Sequence, residues 1–320
     1  MLLRTGLRML SPGGAGGRLS VLIFHRVTPQ PDPLFPDEVD AARFDALLRW
    51  IGGWFRVLPL DEAVAALAER RLPPRALAIS FDDGYADNHD VALPLLQRHG
   101  MPATFFIATG FLDGGRMWND TVVEAVRAAP GDAIDLTPLG LDGVGRVELG
   151  SLAARRAAIA RLLPAIKYLG HAHRLEVVGQ LAAIAGAQLP QDLMMTSGQV
   201  RALRRAGMQI GAHTRSHPIL AKLDAALARD EIAASRDALQ ALLDEPVTLF
   251  AYPNGKPGRD FSDETVGIVR ELGFRAAVTT AAGAAGAGAD LLRIPRFTPW
   301  DRTRWRFGLR LARNLQRAAR

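Results

Sequence analysis

The chain has 320 residues, enough for one large domain, or one domain with an insertion, that buries roughly 75% of its unfolded surface. With 48% hydrophobic and 22% charged residues it is neither disordered nor fibrous, and the absence of Cys excludes disulfide scaffolds, thiolate zinc sites, iron–sulfur clusters and cysteine nucleophiles. Lys and Arg (39) exceed Asp and Glu (33), and the resulting +6 suits anionic lipid, polysaccharide or nucleic acid without choosing among them.

The opening ten residues are basic and apolar but are interrupted by Arg4 and Arg8, and they lack the unbroken apolar core of a cleavable signal. No apolar run approaches the ~18 to 20 residues of a membrane span. The chain is therefore expected in the cytoplasm or peripheral on the cytoplasmic membrane. Short β-type runs then alternate with helical patterns: a strand at Ser20 to Phe24, a helix at Ala41 to Gly52, a strand at Phe55 to Leu58, a helix at Leu60 to Arg70. The series continues with a strand at Ala76 to Phe81, a helix at His89 to His99 and a strand at Ala103 to Ala108. After a gap come a helix at Gln199 to Arg205, a strand at Met208 to Ala212, a helix at Ala225 to Leu243 and a strand at Val247 to Tyr252. A helix at Asp263 to Leu272 and strands at Phe274 to Thr279 and Arg293 to Phe297 complete it. This alternation predicts an α/β fold with a largely parallel sheet, and seven or eight such strands suit a barrel.

Residues 113–196 interrupt the alternation and are expected to be an insertion; Ser151 to Ala187 within it is Ala-, Leu- and Arg-rich at helical spacing and predicts a helical cap. The Ala/Gly tract Ala281 to Ala289 has no periodicity and predicts a mobile loop. Residues 1–300 are thus assigned to the barrel and its insertion, and residues 301–320 to a basic amphipathic helix. On that helix Arg306, Arg310, Arg313, Arg317 and Arg320 form one stripe, and Trp305, Leu309, Ala312, Leu315 and Ala319 another. Such a helix suits an anionic membrane surface; docking of its apolar stripe on the barrel is the alternative. No nucleic-acid recognition motif accompanies the arginines.

Ser80-Phe81-Asp82-Asp83-Gly84 runs a hydrophobic strand straight into two acids. Adjacent carboxylates repel unless a cation or a proton separates them, and neighbouring side chains on extended backbone point apart, so one can hold a metal while the other acts as a base. Asp-Asp-Gly is also ordinary turn chemistry. His213-Thr214-Arg215-Ser216-His217 again follows an apolar strand, with Pro218 suited to open a helix; two His and one carboxylate make a metal set with open positions.

Together these two motifs resemble those of the polysaccharide deacetylases, the metal-dependent carbohydrate esterases of family four, over about residues 18–300. The resemblance implies a distorted (β/α)7-like barrel with its site at the carboxyl ends of the strands. It also implies Asp82 as general base and Asp83, His213 and His217 as ligands of one divalent metal, zinc first, with cobalt or nickel as alternatives. The usual late His is absent from Leu292 to Phe297, whereas Phe24-His25 resembles the first-strand motif of the permuted members that deacetylate poly-N-acetylglucosamine. His25 is therefore the candidate acid, in keeping with an imidazole's titration near neutrality. Phe250-Ala251-Tyr252-Pro253-Asn254 resembles the family's groove motif, with Ala251 where Arg is usual. Tyr252, Asn254 and Trp118 are candidate substrate contacts, and Arg296 or Arg293 candidates to replace the missing Arg that orients Asp82.

The implied function is removal of N-acetyl groups from a glycan or glycolipid in exopolysaccharide or cell-envelope glycan biosynthesis. A catalytically weakened glycan-binding protein and a mononuclear non-haem iron oxygenase, which shares the ligand set, are the alternatives. The expected partners are the N-acetylated substrate and an anionic membrane surface, not nucleic acid.

Overall fold

A computed structural model describes residues 2–317, which divide into two compact units. The first comprises the chain up to Gln30, Glu38–Asp113 and the chain from Met195; the second comprises Pro31–Asp37 and Gly114–Met194. The strands in chain order are β1 (Ser20–Phe24), β2 (Arg56–Val57), β3 (Ala76–Phe81), β4 (Thr104–Ile107), β5 (Ala133–Asp135), β6 (Arg146–Glu148), β7 (Gln209–Ala212), β8 (Leu249–Ala251) and β9 (Ala276–Val278). The helices are α1 (Leu2–Leu10), α2 (Ala41–Trp54), α3 (Leu60–Ala68), α4 (Leu93–Arg98), α5 (Trp118–Ala128), α6 (Leu152–Lys167), α7 (His171–Ala185), α8 (Ser197–Arg205), α9 (Ala225–Leu243), α10 (Asp263–Glu271) and α11 (Arg304–Gln316). No helix among the described residues is long and apolar enough to cross a membrane.

The first unit is a curled, wholly parallel sheet in the order β1-β3-β4-β7-β8-β9, with β2 paired to the start of β3. The expected eighth strand, Arg293 to Phe297, does not form. Leu291–Arg293 is a 3-10 turn, and Pro295, which has no amide to donate, limits this stretch to single bridges at Ile294↔Val278 and Phe297↔Leu22. Those two bridges nevertheless carry the sheet from β9 to β1.

Period-two alternation sorts the strand side chains. Val21, Ala76, Ala78, Phe106, Leu249, Ala251, Ala276, Val278 and Ile294 share one buried cluster, which also takes Leu60, Ala63, Val64 and Leu67 of α3. Their neighbours Leu22, Phe24, Leu77, Ile79, Phe81, Phe105, Ile107 and Phe250 join the larger cluster packed against the other helices. The alternation requires a small residue at Gly211, where a Cβ would stand 2.4 Å from the Phe106 ring. Helix starts are fixed by side-chain caps: Asp40 accepts from Arg43 N before α2, and Asp224 from Leu227 N before α9.

Two expectations are corrected here. The tract Ala281 to Ala289 is anchored, because Leu19 and Ala285 exchange two backbone hydrogen bonds and Asn314 Nδ2 donates to Gly283 O. The expected apolar stripe of the C-terminal helix is split: Leu315, with Phe307 and Leu311, is buried, while Trp305 and Leu309 are exposed. A Cβ at Gly308 would stand 2.3 Å from Leu3 Cδ2, so α1 lies directly on α11. Ala319 and Arg320 of the expected stripes lie outside the described residues.

The second unit has its own core. Helices α5, α6 and α7 pack together with the antiparallel β5–β6 hairpin, burying Leu34, Val122, Val126, Leu136, Leu162, Ile166 and Leu181. Ser151 Oγ caps α6 by accepting from Ala154 N, and α7 ends at Gly186 in the left-handed region. Neither the hairpin nor the short segment Pro31–Asp37, joined through the Arg127–Asp32 ion pair at 2.6 Å, was anticipated from the helical composition.

Candidate active site

The carboxyl ends of β1, β3, β7 and β8 carry the candidate residues. Phe24 is in register with Phe81, so His25 and Asp82 leave adjacent strands at the same level, and Asp82 N donates to Phe24 O. Four residues just beyond strand ends hold left-handed backbone: Asp83 (φ 76°), Thr214 (φ 63°), His217 (φ 52°) and Asn254 (φ 59°). Such conformations cost about 1 kcal/mol or more each outside glycine and persist where surrounding structure imposes them.

That backbone turn separates the two acids. Asp82 continues the inward alternation of Ala78 and Ser80, and Arg296 that of Ile294, so both point into the same buried interior. The guanidinium forks onto the carboxylate, NH1 to Oδ1 and NH2 to Oδ2, both at 2.7 Å, and NH1 also donates to Ser80 Oγ at 3.2 Å. Burial opposes ionisation of Asp82, but the Arg296 charge, reinforced by His213 and His25, outweighs it and holds the carboxyl below its ordinary range. Arg296 thus takes the orienting position left open by Ala251; Arg293 pairs instead with Asp263 and Asp290.

Asp83 turns the other way. Its Oδ1 lies 3.3 Å from His213 Nε2 and 3.4 Å from His217 Nε2. The three residues each offer a ligand atom within 4.8 Å of the others, and all are buried or nearly so. His213 Nδ1 donates to Ala251 O at 2.8 Å, which fixes its ring so that Nε2 faces Asp83. Burial raises the Asp83 carboxyl, but the facing His213 ring and the neighbouring His217 and His25 imidazoles outweigh it, so it stays ionised. Desolvation pushes His217 down to about 4, leaving its ring neutral near pH 7, the form that ligates a cation. A buried carboxylate oxygen facing two imidazole nitrogens, itself lacking a hydrogen-bond partner, is a donor set that fits one divalent ion.

The histidine loop is held from behind. Glu231 on α9 is buried, and its carboxylate accepts from Arg215 N, Ser216 N and Ser216 Oγ at 2.8 to 3.0 Å, while Thr214 Oγ1 accepts from His217 N. A single 3-10 turn, Leu220–Lys222, follows Pro218 rather than the helix expected there. The His25 turn has a similar clamp: Asn88 Nδ2 donates to His25 O, and the Asp87 carboxylate accepts from Arg26 Nε and Val27 N. No motif marked Glu231, Asp87 or Asn88. Each sits among other polar residues in a helical or turn segment, and only tertiary packing gives it its partner.

Among the predicted substrate contacts, Asn254 lies half-buried just past β8. Tyr252 is corrected: it is fully buried, its ring stacks 3.9 Å from that of Phe261, and its hydroxyl donates to Leu292 O. The side chain packs and meets no solvent. Trp118 opens α5 in the second unit, 5.3 Å below the Arg174 guanidinium. Arg296, by contrast, is the partner of Asp82, as expected of it or Arg293.

A parallel α/β barrel with a carboxylate–imidazole cluster at the carboxyl ends of its strands is the class these observations define. The sequence matches the polysaccharide deacetylase family over residues 69–130 and 160–277. The chain belongs to that family, one of hydrolases that deacetylate carbohydrates. It is 20% identical over 281 residues to YxkH of Bacillus subtilis (strain 168), which is named for the same family, covering 87% of this chain and 70% of that protein. Among solved structures, IcaB from Ammonifex degensii superposes with a TM-score of 0.59 at 19% identity, covering 96% of this chain and 99% of the other. The Streptococcus pyogenes deacetylase PplD, solved in complex with acetate, gives 0.57 at 20% identity, covering 88% and 92%. These likenesses establish the shared barrel.

Proposed function

We propose that this protein is a metal-dependent N-deacetylase of a glycan or glycolipid bearing N-acetylated amino sugars, acting in exopolysaccharide or cell-envelope glycan assembly. The observation that carries the reading is the division of labour between adjacent acids: Asp83 faces two imidazoles, while Asp82 is locked by Arg296 beside them. A divalent ion held by Asp83, His213 and His217, zinc being well suited, supplies Lewis acidity toward the acetamide carbonyl and an attacking water.

Asp82, ionised and held by its two hydrogen bonds to Arg296, accepts the proton of the attacking water as the new C–O bond forms. The backbone amide of Asn254, in its left-handed turn, serves the oxyanion of the tetrahedral carbon. His25, level with Asp82 and sensed electrostatically by Asp82, Asp83 and His217, gives its proton to the amine as the C–N bond breaks. Acetate and a free amino sugar result.

Acetate release from a panel of N-acetylated glycans by zinc-, cobalt- and nickel-loaded protein tests this. Asp82→Asn is expected to keep stoichiometric metal and lose about 10²- to 10⁴-fold in kcat, the range of general acid–base catalysis. His213→Ala is expected to lose the metal. Stoichiometric metal binding with no release from any acceptor would turn the reading toward a glycan-binding protein.

A further inference from the structure

In the first unit, five large apolar side chains stand exposed among the described residues, and four of them belong to α1, α11 and the turn before α11. They are Met9 (75% exposed), Trp300 (60%), Trp305 (69%) and Leu309 (53%). Helix α11 is apolar on two faces. Phe307, Leu311 and Leu315 turn inward, toward a core that includes Trp54, whereas Trp305 and Leu309, four residues apart, form a second strip that faces water.

Charge frames the outer strip. Residues 302–317 contain six arginines, Arg4 and Arg8 add two on α1, and the only acid in either segment or the turn between Trp300 and α11 is Asp301. Asp301 is buried and occupied by Arg310 and Arg306. Arg4, Arg8, Arg302, Arg313 and Arg317 are exposed; on α11 Arg313 continues the turn-by-turn line of Trp305 and Leu309, with Arg302, Arg306 and Arg317 alongside.

We propose that this outer face of α11, with Trp300 and the exposed residues of α1, is a docking surface for an anionic lipid bilayer. Arginines alone would serve any polyanion, but a soluble polyanion leaves Trp305 and Leu309 in water. A bilayer interface takes both groups, the rings and alkyl chains at the acyl boundary and the guanidinia among lipid phosphates. The helix is already folded and anchored through Phe307, Leu311 and Leu315, so docking need not order it first. The surface does not depend on the deacetylase reading, because none of its residues enters the proposed chemistry.

The test is co-sedimentation of the full chain with vesicles of phosphatidylglycerol in phosphatidylcholine and of phosphatidylcholine alone, with soluble heparin as a competing polyanion. Binding is expected to the anionic vesicles, weakening with salt. Arg313→Glu with Arg317→Glu, and separately Trp305→Ser with Leu309→Ser, should each weaken it about tenfold or more. These are exposed positions, and an unchanged circular dichroism melt checks each fold. No binding to anionic vesicles overturns the proposal, as does equal binding to both vesicle types. Binding to heparin and vesicles alike, indifferent to Trp305→Ser with Leu309→Ser, also overturns it and assigns the surface to a soluble polyanion.

Discussion

The strands of the barrel end differently at their two ends. At the carboxyl ends the chain buries Asp82, Asp83, His213 and Arg296 together and bends through four left-handed non-glycine residues. At the amino ends it places α3, whose first amides have no cap from Pro59 and are served instead by a neutral side chain. Gln209 Oε1, at the start of β7, accepts from Leu60 N at 2.7 Å and from Thr104 Oγ1 at 3.0 Å. One end thus holds charge that only mutual pairing stabilises, and the other satisfies backbone donors at little electrostatic cost. The same parallel strands separate chemistry from stability by direction alone.

That contrast is broken most sharply at Arg296. Arg296→Met leaves Asp82 ionised and unpaired in the barrel and is expected to cost roughly 3 to 5 kcal/mol, read as a fall in the urea midpoint. Arg296→Lys keeps a charge but cannot fork onto both carboxylate oxygens, so it should fold and lose about tenfold or more in kcat at unchanged metal content. Full activity in Arg296→Lys would make the pair a structural device, and the carboxyl end would no longer differ in kind from the amino end.

Gln209→Ala examines the opposite end. It removes the acceptor for the first turn of α3 and the partner of Thr104, and is expected to lower stability by about 1 to 2 kcal/mol with acetate release per folded molecule unchanged. A selective loss of activity would show that the amino end communicates with the site.

The parts of this arrangement that were legible in the sequence are those encoded by local pattern. The strand Ala76 to Phe81 is apolar at nearly every position and ends where two acids begin, and its limits match those of β3. The long Ala- and Leu-rich helix Ala225 to Leu243 likewise matches α9, whose ends carry Asp224 as cap and Asp244 in the left-handed region. What the sequence left open depends on partners distant in the chain. Arg293 and Arg296 were equivalent candidates until the barrel closed, because a segment broken by Pro295 has no readable strand period to say which side chain faces inward. The C-terminal helix has two apolar stripes, and choosing the docked one requires knowing that Gly308 meets Leu3. The tract around Ala285 has no periodicity of its own, and its order comes from pairing with Leu19.

The smallest expected effect concerns the second unit, where charge pairing is partly exposed and of ordinary kind. Arg127 forks onto Asp32, NH1 to Oδ1 at 3.0 Å and NH2 to Oδ2 at 2.6 Å, and Leu34 N also donates to Asp32. Burial opposes ionisation of Asp32, but the Arg127 hydrogen bonds and the Leu34 amide outweigh it, and the carboxyl lies below its ordinary 3.8. A folded-state pKa below the unfolded one makes a contribution that is fully present above the unfolded value and fades as pH falls through the folded one. Asp32→Asn should therefore cost at most about 1 kcal/mol near neutral pH, given the partial exposure of the pair. The difference from wild type should shrink as the medium is acidified below pH 3.8. Urea titrations of both proteins at neutral and acidic pH measure it. A penalty as large as that of Arg296→Met would mean that pairing in the second unit is as consequential as at the barrel's carboxyl end; a penalty that grows on acidification would reverse the sign of the linkage.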